Sequence, residues 1–182
     1  MSDDTTVVSG PSTRSPNTVA SVGVPAVTEV ADRLRSAYPR AMASVFSMII
    51  SGELPGRFVW QDDDVVSFLT INPLTEGHVL VVPRQEVDHW ESVDDELWAK
   101  INGVARIVGK AVRAAYDAPR TGLVIAGLEV PHLHLHVFPA SSLDDFDFAT
   151  AEKDPSAESL DRAQNKIRDE LRALGYADNV PA

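Results

Sequence analysis

Three of the five histidines in this 182-residue chain recur at every second position, as His132, His134 and His136. In an extended strand, successive side chains point to opposite faces, so this spacing predicts that the three imidazoles share one face. The residues between and after them are apolar and would share the opposite face: Leu133, Leu135 and Val137. The pattern therefore predicts a strand with an apolar back and a titratable front.

Two kinds of site are compatible with three imidazoles on one strand face, and a chance cluster is the third possibility. Neutral imidazoles at alternate positions are suitable zinc ligands. A neutral imidazole is also a nucleophile toward phosphorus, and its neighbours can donate hydrogen bonds to phosphate oxygens. Because like charges close together disfavour protonation, we expect the middle residue, His134, to have the most depressed pKa of the three, while a neighbour carries a proton.

The surrounding sequence predicts an α+β fold in which an antiparallel sheet carries this face. Short β-rich runs separated by turn residues indicate strands over residues 57–60, 65–71, 78–82, 122–126 and 131–138. Apolar residues at helical spacing indicate one long helix over residues 92–118 and a C-terminal helix over residues 156–174.

The predicted domain organisation follows the same patterns. Residues 1–26 lack an apolar period and predict a disordered tail, and residues 27–43 a short helix or linker. Residues 44–140 form the predicted domain. Residues 141–182 combine an acidic segment with the C-terminal helix, which we expect to pack on the domain.

Composition limits the classes of function. The formal net charge of −11 argues against a nucleic-acid partner bound through a basic surface. The sequence contains no run of 18 apolar residues, which argues against a membrane partner. Cysteine is absent, and the first twenty residues lack the order of a signal peptide. We therefore expect a cytoplasmic protein.

Three segments together resemble the histidine triad (HIT) superfamily, over residues 44–140. The triad segment matches the superfamily's His-φ-His-φ-His-φ-φ signature. Residues 68–84 resemble its Phe-x-Asp-φ-x-Pro…Gly-His-x-Leu-Val-φ-Pro-Lys segment, and residues 44–55 resemble its opening helix. The third triad position is His136 rather than Gln, which resembles the hydrolase branches more than the nucleotidyltransferases.

The resemblance implies a homodimer and a purine nucleotide or nucleotide conjugate as ligand. In such hydrolases the middle histidine attacks the α-phosphorus and forms a nucleotidyl-histidine, which water then hydrolyses. Carried over, His134 is the nucleophile, His132 and His136 position it and contact phosphate oxygens, and His78 completes the cluster. The implied activity is that of a nucleoside phosphoramidase or dinucleoside polyphosphate hydrolase.

The resemblance also places the substrate-binding residues, with departures from the pattern. Asn72 and Ile71 fall in the ribose-binding segment, where Thr70 replaces the acidic residue. Glu129 follows Leu128 where many relatives have an amide and a hydroxyl before the first histidine. Glu129 can protonate a leaving group, recognise an amine, or turn away into a salt bridge. These departures leave a nucleotide-binding or signalling module with little or no turnover as the alternative function.

Many bacterial relatives hold a structural zinc with a Cys-x-x-Cys motif and two histidines. Here Ser44 and Ser47 replace the cysteines, and Glu86 replaces one histidine. Because hydroxyls are poor zinc ligands, we expect no structural metal and no cofactor. A metalloprotein that uses the triad itself as ligands remains a third alternative.

Overall fold

The computed structural model describes residues 43–182. The predicted tail and nearly all of the predicted linker lie outside the described residues. Five antiparallel strands form one sheet in the order β1-β2-β3-β5-β4. The strands are β1 (Phe58–Gln61), β2 (Val65–Leu69), β3 (Val79–Pro83), β4 (Arg120–Val124) and β5 (Leu135–Ala140), and the helices are α1 (Val45–Ile50), α2 (Asp95–Ala115) and α3 (Ala157–Ala173). The predicted α+β fold, with its antiparallel sheet, long helix and C-terminal helix, is confirmed.

Strands β2 and β3 are apolar except for Ser67 because both faces of the sheet are covered. Every residue of both strands is buried. Val79 and Val81 pack into the cluster that contains α2, while Leu80 and Val82 pack into a second cluster around Phe46 of α1. A strand buried on both faces is typically a continuous apolar run rather than an alternating one.

Helices α2 and α3 cover one face of the sheet. Asp94 caps α2 by accepting the N–H of Leu97, and the buried stripe of α2 then faces the strands. Helix α3 packs beside it through a stripe of its own: Leu160, Ala163, Ile167 and Leu171. Within residues 43–182, no helix is both long enough and apolar enough to span a membrane.

Helix α1 covers the opposite face, which is also the face of the histidines. Ser44 caps this six-residue helix by accepting the N–H of Ser47. Phe46 is buried and meets Phe68 edge-on, with ring centroids 5.6 Å apart. This aromatic contact packs α1 against β2.

The predicted strand over residues 131–138 is wrong at its beginning, because β5 starts only at Leu135. The β3–β5 pairing ends at Val81 and Leu135. Before that point, the chain is held by other bonds: Leu133 N–H donates to the carbonyl of Val87, and His132 bonds the carbonyl of Pro83 through its side chain. The apolar residues at 133, 135 and 137 nevertheless pack into the core around α2, as the alternation predicts.

Candidate active site

A cavity of about 580 Å³ opens beside the start of β5 and is formed by four segments of the chain. Two of its histidines come from β5 and the residue just before it, and a third precedes β3. The lining residues are Thr70, Asn72, His78, residues 126–129, His134, His136, Phe148, Ala149, Ala151, Lys153 and Asp154. Three imidazoles therefore meet at one depression of the surface.

One hydrogen bond determines which ring nitrogen of His134 carries the proton. The Nδ1 atom lies 2.7 Å from the carbonyl oxygen of His132, and a carbonyl only accepts, so Nδ1 carries the proton. The neutral ring then has its lone pair on Nε2. The side chain is only 5% exposed, and the residue lines the cavity. His134 thus has the tautomer in which Nε2 is the nucleophilic atom.

A second chain of hydrogen bonds orients His136. The backbone N–H of Leu74 donates to Nδ1 of His78 over 3.0 Å, so Nε2 of His78 carries the proton. That Nε2–H donates in turn to Nδ1 of His136, also over 3.0 Å. The neutral ring of His136 therefore carries its proton on Nε2, as a donor beside the nucleophile, and the ring centroids of His134 and His136 are 4.8 Å apart.

All four clustered histidines have pKa values below the ordinary value of 6.5. Burial, followed by the nearby His136 and His134, lowers the pKa of His78 to about 3. Burial, followed by His134, lowers the pKa of His136 to about 4. Burial also lowers the pKa values of His132 and His134. The cluster is therefore neutral at pH 7.

The prediction that His134 has the most depressed pKa of the triad is wrong, while the neighbouring ring of His136 does carry a proton, on Nε2. The larger shift belongs to His136. The hydrogen bond from His134 to the carbonyl of His132 and the nearby carboxylate of Glu129 both favour the charged form of His134 and offset part of its burial. Among the described residues, the charge effect on His136 comes from His134, which lowers its pKa further.

His132 lies outside the cavity, so its predicted contact with phosphate is wrong. Its side chain is fully buried. Nε2 lies 2.8 Å from the carbonyl oxygen of Pro83, and Nδ1 lies 2.7 Å from the hydroxyl oxygen of Ser44. With both nitrogens engaged, His132 can act on the cavity only through its backbone carbonyl, which fits the positioning role.

The predicted substrate-binding residues divide into two groups. Thr70, Asn72 and Glu129 line the cavity. Ile71 does not line it, and its side chain is 70% exposed, so the structure does not bring it to the site. Glu129 forms no ion pair within the described residues and affects the charge state of His134 from the cavity wall. Among residues 43–182, Glu129 therefore faces the cavity rather than an ion-pair partner.

Phe148 and Lys153 line the cavity although nothing in the sequence marks them as site residues. Both lie in the irregular acidic segment after β5. The ring of Phe148 meets His136 edge-on, with centroids 5.0 Å apart. The backbone N–H of Glu152 donates to the carbonyl of Pro73 over 2.9 Å and ties this segment to the loop before His78. Only these long-range contacts show that the segment forms a wall of the cavity.

The residues that replace the implied zinc ligands do come together, but they do not fit a zinc ion. The hydroxyls of Ser44 and Ser47, the carboxylate of Glu86 and the ring of His132 form one hydrogen-bonded cluster. Zinc requires thiolate, imidazole or carboxylate ligands with free lone pairs. Here the lone pair of His132 Nδ1 is engaged with a hydroxyl, and two of the four groups are hydroxyls.

A protein-family model described as the HIT domain matches residues 51–143. An uncharacterized HIT-like protein of Methanocaldococcus jannaschii is 37% identical over 99 residues, which cover 52% of this chain and 77% of that protein.

Two solved structures share the fold. A hypothetical histidine triad nucleotide-binding protein from Sulfolobus tokodaii has a TM-score of 0.64 and 28% identity, over 71% of this chain and 92% of that one. A zinc-bound histidine triad family protein from Mycobacterium smegmatis has a TM-score of 0.64 and 29% identity, over 75% of this chain and 98% of that one.

Proposed function

Because this chain belongs to the HIT domain family, we propose that it is a nucleotide hydrolase. The family supports nucleotide-binding or hydrolase-type activity. The finer proposal is that the protein cleaves the P–N or P–O–P bond at the α-phosphate of a nucleoside 5′-monophosphate conjugate. One observation carries it: Nδ1 of His134 is bonded to the carbonyl of His132, and the residue lines a cavity with its lone pair on Nε2, which no residue of the described part of the chain engages.

In the proposed first step, Nε2 of His134 attacks the α-phosphorus. The bond from phosphorus to the leaving group breaks, and the leaving group departs with the electron pair and takes a proton from solvent. The ring of His134 becomes a nucleotidyl-histidine that retains its Nδ1 proton and gains positive charge. The carbonyl of His132, which accepts that Nδ1–H, stabilises this charge.

In the second step, water attacks the phosphorus and the P–N bond returns its electron pair to Nε2. The water proton goes to solvent, and the nucleoside monophosphate is released. Throughout, the Nε2–H of His136 donates to a phosphate oxygen, because His78 holds the other nitrogen of that ring. His136 thus supplies electrostatic stabilisation without having to ionise.

The test compares the wild type with His134→Ala on adenosine 5′-phosphoramidate and on diadenosine polyphosphates. We expect turnover by the wild type, a loss of at least about a thousandfold in the variant, and an AMP adduct on His134 in the intact mass after rapid quenching. The matched control is His89→Ala, since the side chain of His89 is largely exposed and lies outside the cavity. A wild type that binds AMP but forms neither product nor adduct would contradict the hydrolase.

That outcome would favour the second candidate, a nucleotide-binding or signalling module with little or no turnover. Glu129 is the observation that supports it, because its carboxylate lines the cavity, forms no ion pair with any residue of 43–182, and repels a phosphate ligand. Calorimetry with AMP and GMP then measures the binding function directly.

We also propose a homodimer. Strand β4 lies at the edge of the sheet, and Leu123 in this strand and Ile125 just after it are exposed at 54% and 38%. An exposed edge with apolar side chains is suited to pairing with a second copy. Sedimentation equilibrium at micromolar concentration tests this proposal, and a monomer at all concentrations would contradict it. The cytoplasmic location stays a prediction.

A further inference from the structure

The polar cluster of Ser44, Ser47, Glu86 and His132 lies outside the cavity and joins three distant parts of the chain. Ser44 is 7% exposed and His132 is fully buried. The hydroxyl oxygen of Ser44 lies 2.7 Å from Nδ1 of His132 and 3.0 Å from the backbone nitrogen of Ser47. One carboxylate oxygen of Glu86 contacts the hydroxyl of Ser47 and lies 3.2 Å from the backbone nitrogen of Ser44.

The direction of each hydrogen bond follows from the groups that can only donate or only accept. The carbonyl of Pro83 accepts from Nε2 of His132, so Nδ1 of this neutral ring must accept. The hydroxyl of Ser44 therefore donates to His132, and its oxygen accepts the N–H of Ser47. The hydroxyl of Ser47 and the N–H of Ser44 both donate to Glu86. Every donor of the cluster is satisfied in a single arrangement.

Two contacts connect this cluster to the proposed nucleophile, His134. The carbonyl of His132 accepts Nδ1–H of His134 over 2.7 Å, so the place of that carbonyl sets the orientation of the nucleophilic ring. Phe46, two residues after Ser44 on the same helix, meets the ring of His134 edge-on with centroids 4.9 Å apart. Both contacts depend on the N-terminal end of α1, which Ser44 anchors.

We infer that Ser44 is a positioning residue for His134, acting through His132, and that Glu86 and Ser47 hold Ser44 in place. The inference rests on the proposed function for its kinetic consequences only. Loss of the Ser44 hydroxyl removes the short bond to a buried imidazole nitrogen, leaves only the Ser47 hydroxyl oxygen 3.5 Å away, and loosens the residue whose carbonyl orients His134. A reacting group misplaced by about 1 Å can lose on the order of a hundredfold in rate.

The kinetic test uses Ser44→Ala, the conservative variant Ser44→Thr and the control Ser51→Ala. Ser51 ends the same helix, and within residues 43–182 its hydroxyl bonds only the local Met48 carbonyl and Glu53. We expect Ser44→Ala to lower kcat about ten- to a hundredfold with little change in KM, Ser44→Thr to recover most of the loss, and Ser51→Ala to match the wild type. Equal kcat values in all four proteins would overturn the inference.

Imidazole ¹⁵N spectra give a readout that does not need turnover, so failure of the proposed function stays distinguishable from failure of the inference. In the wild type we expect His132 as the Nε2–H tautomer and a slowly exchanging Nδ1–H on His134. In Ser44→Ala the His134 proton should exchange faster. Glu86→Ala, at an exposed position, should move the same signal in the same direction if Ser44→Ala does not fold. An unchanged His134 signal would overturn the inference whether or not the protein hydrolyses nucleotides.

Discussion

Nε2 of His78 lies 3.0 Å from Nδ1 of His136, although the two residues are 58 positions apart in the chain. Because the backbone N–H of Leu74 already donates to Nδ1 of His78, this contact has only one direction in the neutral state. The orientation of His136, the triad residue beside the proposed nucleophile, is thus set by His78, which lies outside the triad. The consequences of this arrangement can be measured in pH dependence, packing and substrate affinity.

The buried neutral histidines predict a loss of stability as the pH falls below about 6.5. The unfolded chain takes up protons there, whereas the folded protein keeps His136 neutral to about pH 4 and His78 to about pH 3. Between about pH 6.5 and its folded-state pKa, each histidine should lower the free energy of unfolding by up to about 1.4 kcal/mol for every unit by which the pH falls. Urea unfolding at pH 7.5, 6 and 5 measures the slope.

The control for this prediction is His136→Asn, which removes one of the two large contributions and should give a shallower dependence. A free energy of unfolding that stays constant between pH 7 and pH 5 would contradict the prediction, because it would show that the histidines take up protons in the folded state as readily as in the unfolded chain.

Replacement of Gly77 by alanine, which adds one methyl group next to His78, should strongly reduce stability. Its φ of +91° is unfavourable for other residues, and a Cβ there would lie 2.2 Å from Cε2 of Tyr116. Gly77→Ala should therefore lower the free energy of unfolding by about 2–4 kcal/mol, from backbone strain and overpacking together. It should also reduce turnover, because His78 follows directly.

Gly52→Ala separates backbone strain from overpacking, since Gly52 has a φ of +81° but open space where the Cβ would lie. Its cost should be only the backbone strain of about 1–2 kcal/mol. Equal losses of stability in the two variants would mean that Tyr116 moves aside without cost.

Glu129→Gln should shift the acidic limb of the kcat/KM profile to lower pH. The carboxylate of Glu129 favours the protonated form of His134, so its removal lowers the pKa of His134 further below the ordinary value. The profile between pH 4 and 8 measures this limb. Glu53→Gln is the control, since the carboxylate of Glu53 accepts a hydrogen bond from the nearby Ser51 and lies outside the cavity. A shift to higher pH would contradict the assigned charge effect.

Phe148→Ala should weaken binding of substrates that carry an aromatic leaving group. Phe148 is 42% exposed, lines the cavity and packs edge-on against His136. Loss of one aromatic contact of about 1 kcal/mol corresponds to a five- to tenfold rise in KM. We expect kcat to stay within about twofold, since the ring does not touch the reacting atoms.

Leu143→Ala is the matched control for Phe148→Ala. Leu143 belongs to the same segment but is 88% exposed and lies outside the cavity. The same rise in KM in both variants would contradict a specific contact between Phe148 and the substrate.

Local patterns in the sequence were sufficient for the main elements of the fold. The stripe of α2 and the apolar runs of β2 and β3 predict their own burial, because neighbours in sequence share a face at a known period. The sequence also predicts that His78, His134 and His136 belong to one site, through the resemblance of its ordered segments. The same patterns fail at His132, whose position before β5 depends on Pro83, and at Ile71, which is exposed.

The sequence by itself determined which residues face the core around the triad, because alternation along an extended chain is a local property. Only the tertiary structure decided the chemical state of the histidines. Tautomer and pKa depend on burial and on partners such as Ser44 and Leu74, which lie far away in sequence or belong to the backbone. Residue type and spacing therefore predicted a shared histidine face, the family resemblance implied a nucleophile on it, and the folded contacts decided which nitrogen of His134 carries the proton.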